Sequence, residues 1–94
     1  MRYANRLLEQ ATRTLTERGE SHGSVQALFE NVAKRWSLTL GVNVSADQVV
    51  LCLLDLKLAR LNSNPSHQDS ILDIAWYAVV LNEIINNNGG AYGA

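Results

Sequence analysis

A chain of 94 residues, 47% of them hydrophobic and with a formal net charge of -1, has material for one ordered domain around one core. Its eight Lys and Arg are scattered among nine Asp and Glu, which excludes the concentrated positive surface that bulk DNA or RNA binding requires. A single cysteine excludes an intrachain disulfide, and Cys52, inside VVLCLLDL, reads as a small core hydrophobe in a reducing compartment.

The N-terminal MRYANRLLEQATRTL carries charges every few residues in place of the apolar block of a leader peptide. Tyr3, Leu7, Leu8, Ala11 and Leu15 recur at helical spacing, so a first amphipathic helix is expected to end near Gly19. GESHGS follows, with Ser24 placed to cap a second helix whose apolar side is Val25, Leu28, Phe29, Val32, Trp36 and Leu40. Gly41 closes that segment. Ser45 and Gln48 have the spacing of a capping box for a third helix, SADQVVLCLLDLKLARL. NSNPS then makes a turn, and Ser66 with Asp69 repeats the cap spacing for a fourth.

The expectation is an all-α domain over residues 1–88, a four-helix antiparallel up-and-down bundle, followed by a mobile tail at 89–94. The third and fourth helices are apolar on nearly every face, which predicts a homo-oligomer to cover them. Asp55, Lys57, Arg60, Asp73 and Glu83 interrupt their apolar runs, so neither reads as a membrane span and the chain reads as cytoplasmic.

Those interruptions hold the chemistry. Lys57 and Arg60 are neighbours on one helix face, and Asp69 and Asp73 are stacked a turn apart on the next. Across a short hairpin, Arg60 is expected to meet Asp69, and Lys57 to meet Asp73. A plain ion-pair ladder fixing the hairpin register would account for all four. His67 and Tyr77 add an imidazole and a phenol on the same side, and cations with aromatic faces suit a phosphate-bearing ligand with a base.

ERGESHGS offers Arg18 and His22 beside two glycines, a composition that serves an ordinary turn or an anion-binding loop. Glu17, Glu20, Asp69 and Asp73 are the carboxylates a magnesium site would draw on, although a helix break at Gly19 would separate the first two. One Cys and two distant His do not make a zinc set. Trp36 and Trp76 lie in apolar stretches and read first as core or subunit interface, with base stacking as the functional alternative.

RGESHGS, FENVAKRW, the following LG and LKLARLNSNPSHQDSILDIAWYA together resemble a family of small helical proteins carried by phages and prophages. They are also similar to the type 1 nucleotide-modification-associated domain and, more remotely, to MazG-like all-α nucleotide pyrophosphohydrolases. The resemblance marks Arg18, Gly19, Gly23, Trp36, Lys57, Arg60, His67, Asp69, Asp73 and Tyr77. It implies a phage context, host cytoplasm and a nucleotide connection. His22 stands where similar sequences have Tyr, and Trp76 where they have Gly; the complete E-x-x-E and E-x-x-D metal pattern of the hydrolases is absent.

Two functions follow as expectations. One is a binding protein, without cofactor or catalytic residues, that sequesters a nucleotide-derived molecule such as a host immune signal through Arg18, His22, Lys57, Arg60, His67, Asp69, Asp73, Trp76 and Tyr77. The other is a magnesium-dependent nucleoside triphosphate pyrophosphohydrolase using Glu17, Glu20, Asp69 and Asp73. A protein-protein adaptor with a purely structural ladder is the third reading.

Overall fold

The computed structural model describes residues 1–22 and 25–88, with the backbone alone for 19–22. Four helices follow one another: α1 (Ala4–His22), α2 (Val25–Leu40), α3 (Ala46–Ser63) and α4 (Gln68–Asn87). They pack as the expected four-helix bundle, with no strand among the described residues. α4 is the hub: it packs most extensively on α3, then on α1, and also touches α2.

The core follows from helical spacing. Phe29 and Ala33 of α2, Val49 and Val50 of α3, and Trp76, Val80 and Ile84 of α4 form one buried cluster. The 76, 80, 84 register puts three large side chains on one stripe of α4. Val25, Val32, Trp36, Leu53, Tyr77 and Leu81 pack around it.

Two local devices set the corner between α2 and α3. Gly41 takes a φ of 71°, a left-handed backbone that glycine adopts at no steric cost, and its N–H donates to the Ser37 carbonyl at 2.9 Å. Ser37 Oγ donates to the Ala33 carbonyl at 2.8 Å and accepts from the Val44 N–H at 2.9 Å, tying the loop back onto α2. α3 then opens as the Ser45 and Gln48 spacing predicts, with Gln48 Oε1 accepting the Ser45 N–H at 3.0 Å.

Three expectations are corrected. α1 continues through Gly19 to His22, because an interior glycine weakens a helix by about 1 kcal/mol without turning the chain. Gly19→Ala is accordingly expected to raise stability by up to about 1 kcal/mol in thermal melts, whereas a helix ending there in a left-handed glycine would lose stability.

α1 also docks through only part of its expected stripe. Ala11 is buried and Ala4, Leu7, Thr14 and Arg18 are half-buried, while Tyr3, Leu8 and Leu15 remain exposed. Cys52 is exposed too, since Val49 and Val50 take the core side of α3 and the turn carries Cys52 outward with Leu51. The expected Ser24 cap and the tail at 89–94 lie outside the described residues. No helix among the described residues is long and apolar enough to cross a membrane.

Candidate functional site

The site is built on the first three turns of α4. His67, not Ser66, is its N-cap: Nδ1 accepts the Ser70 N–H at 3.2 Å and lies 2.7 Å from Ser70 Oγ. Ser66 instead donates to Asn64 Oδ1 at 3.3 Å within the turn. With the Nδ1 lone pair as acceptor, the neutral ring carries its proton on Nε2, and the Ser70 hydroxyl donates.

A histidine beside a serine has the look of a base and its nucleophile, but Ser70 is 0% exposed and its hydroxyl points into the cap, so the pair anchors the helix start. His67→Ala is expected to cost about 1 to 2 kcal/mol in urea unfolding, with His67→Asn recovering most of it. Equal stability of all three proteins would contradict this assignment.

One turn onward stands Asp73. Its Oδ2 lies 2.9 Å from Lys57 Nζ, and its Oδ1 lies 3.5 Å from Arg18 Nη2. The Asp73 and Lys57 side chains are 19% and 15% exposed, and that of Arg18 is 38% exposed. Lys57 reaches this point because it follows Val50 by seven residues and so shares the face of α3 that packs on α4. Arg18 reaches it because it continues the stripe, Ala4, Leu7, Ala11 and Thr14, through which α1 docks.

Trp76 completes the arrangement. The Arg18 Cζ lies 4.1 Å from the indole centroid, a cation stacked on an aromatic face. Tyr77 and Phe29 flank the indole, with centroids 5.2 Å and 6.2 Å away. Trp76 is only 5% exposed, and its Nε1 is a buried donor without a hydrogen-bond partner among the described residues. Among the described side chains, two cations meet one carboxylate here, beside three aromatic rings. A flat ring bearing hydrogen-bond donors and an anionic tail would complement that surface.

The expected Lys57–Asp73 pair is therefore present, and the expected Arg60–Asp69 pair is not. Both latter side chains are exposed at the mouth of the hairpin, where water competes and ordering two long side chains gains little. Arg18, from a helix remote in sequence, takes the second place on Asp73. His67 is committed to its cap, and the side chains of His22 and Glu20 lie outside those described. Glu17 is exposed, and among the described residues no three His, Cys, Asp or Glu converge as a set that could hold a metal.

Two residues escaped sequence reasoning in part. Ser70 carried no signal beyond its neighbourhood to His67. Arg18 was marked for a loop, whereas its spacing from Ala4, Leu7, Ala11 and Thr14 is that of a helix face.

Residues 6–85 match the model of a family described as a domain of unknown function, DUF6378. A 69-residue stretch is 33% identical to the Gene 55 protein of Mycobacterium phage L5, covering 72% of this chain and 44% of that protein. The chain thus spans less than half the length of this relative. No solved structure matches it.

Proposed function

This chain belongs to the DUF6378 family, and from that premise and the cluster on α4 we propose that it is a phage-encoded binding protein that captures a nucleotide-derived, phosphate-bearing molecule without turning it over. The observation that carries the reading is the excess of cations at the Trp76 face: among the described side chains, Arg18 and Lys57 meet Asp73 alone. An anion is the ligand that balances such a site, and an aromatic ring is the partner its indole and phenol stack upon. The resemblance to nucleotide-modification and MazG-like proteins points to the same ligand class. In the cytoplasm of an infected host, such capture would remove a nucleotide immune signal from circulation, as a sponge.

Hydrolysis fits the geometry less well. Magnesium chemistry on a triphosphate needs carboxylates open to the ion, and Asp73 directs its oxygens to Lys57 and Arg18. Association of copies accompanies the binding reading: Leu51 and Leu58 of α3, seven residues apart on one face, are 45% and 48% exposed, an apolar surface that a second copy would cover. Sedimentation of a clean monomer at micromolar concentration would contradict that part.

Calorimetry of the wild-type protein against cyclic dinucleotides, ADP-ribose derivatives and nucleoside monophosphates should show stoichiometric uptake by at least one, recovered intact by mass spectrometry. Absence of binding across the panel would overturn the proposal. Release of pyrophosphate from a triphosphate, abolished by EDTA, would replace it with the hydrolase.

A further inference from the structure

Arg18 sits in what is, chemically, a receptor for a guanidine group. Its flat guanidinium lies over the Trp76 indole at 4.1 Å, with Nη2 3.5 Å from Asp73 Oδ1. Lys57, 2.9 Å from the other carboxylate oxygen, keeps Asp73 paired and oriented whether or not Arg18 stays. The same N–C–N pattern of adjacent donors forms the N1–H, C2 and N2 edge of guanine, whose bicyclic face also stacks on an indole. Adenine offers a carboxylate one amino donor beside the N1 lone pair, which repels it.

We propose that the captured molecule carries guanine, and that Arg18 holds the base's seat until the ligand arrives. The base displaces the guanidinium from Trp76 and Asp73, stacking on the first and donating N1–H and N2–H to the second. Arg18, with 38% of its side chain exposed, swings out and meets the phosphate. Charge stays balanced through the exchange: a neutral base leaves the Lys57–Asp73 pair intact, and the released cation gains the anionic tail. This inference rests on the binding reading above and specifies its ligand.

The test is calorimetry of the wild-type protein with GMP, IMP, AMP and guanosine. GMP should bind about tenfold to a hundredfold more tightly than AMP, the worth of charge-assisted hydrogen bonds, with IMP between them for want of the N2 amino group. In Arg18→Ala, guanosine should bind more tightly than it does to wild type, because its seat is vacant, while the advantage of GMP over guanosine shrinks. Asp73→Asn should erase the preference for GMP over IMP, with circular dichroism confirming that each variant is folded.

AMP binding as tightly as GMP to the wild-type protein would overturn the guanine assignment and leave nucleotide capture standing. Failure of every nucleotide to bind would sink both. Weaker guanosine binding in a folded Arg18→Ala would overturn the displacement step. Should that variant not fold, the wild-type panel alone decides the base.

Discussion

Asp73→Ala lowers the unfolding free energy by about 2 to 3 kcal/mol, somewhat less than the loss expected when one member of a fully buried ion pair is removed. Lys57 is the reason for so large an effect: its side chain is 15% exposed and its ammonium sits 2.9 Å from the carboxylate, so the variant strands a cation with little water to solvate it. Arg18, more exposed, loses its ion pair and keeps its indole. Asp69→Ala, one turn earlier, is expected to cost at most about 1 kcal/mol, the worth of an acidic side chain in the first turn of a helix. Urea unfolding of the two variants side by side measures the difference. Comparable losses would restore the four-charge ladder that the spacing of the residues suggested. Replacing both partners, Lys57→Met with Asp73→Leu, should recover most of the stability, since an apolar pair of similar volume leaves no charge buried.

Ile84→Ala is expected to cost about 3 kcal/mol, and Ile85→Ala less than about 1 kcal/mol. The two isoleucines are adjacent and chemically identical, but Ile84 is 0% exposed within the core cluster and Ile85 is 44% exposed. Truncating the first leaves a cavity against Val80 and its neighbours; truncating the second removes methyl groups that already face water. Thermal or denaturant melts of both variants check the register of α4 directly. A larger loss from Ile85→Ala would mean that another copy of the chain buries this face in solution, or that the helix is rotated.

These pairs also show where sequence reasoning worked. Helix number and the α3 cap were legible because they rest on local chemistry: Gly41 for a stop, Ser45 with Gln48 for a start, Pro65 in the last turn. Lys57 and Asp73 could be paired because a short connection forces α3 and α4 together and period 3.6 aligns their faces. The faces of α4 itself could not be ranked, since Ile84 and Ile85 are equally apolar and only the neighbouring helices decide which is covered.

α1 was misplaced for the opposite reason. The expected stripe shares Leu7 and Ala11 with the face by which the helix docks, but that face runs on through Ala4, Thr14 and Arg18, small or polar residues, and leaves Tyr3, Leu8 and Leu15 exposed. Hydrophobic periodicity does not see the polar part of that face, so the cation that reaches Asp73 from α1 was assigned to a loop. His67 was marked for a ligand on residue type alone; its role in capping Ser70 depends on where α4 begins, one residue after the Ser66 start suggested by the capping-box spacing.

The central claim is that a nucleotide rests on Trp76 beside Arg18 and Lys57. Its most direct measurement is the indole N–H resonance of Trp76 in ¹⁵N-labelled protein carrying Trp36→Phe, with nucleoside monophosphates and cyclic dinucleotides added in turn. Capture at this site predicts a saturable shift of that resonance at stoichiometric ligand, reversed when the ligand is dialysed away unchanged. A Trp76 resonance unmoved by every nucleotide, in protein that remains folded, would contradict it.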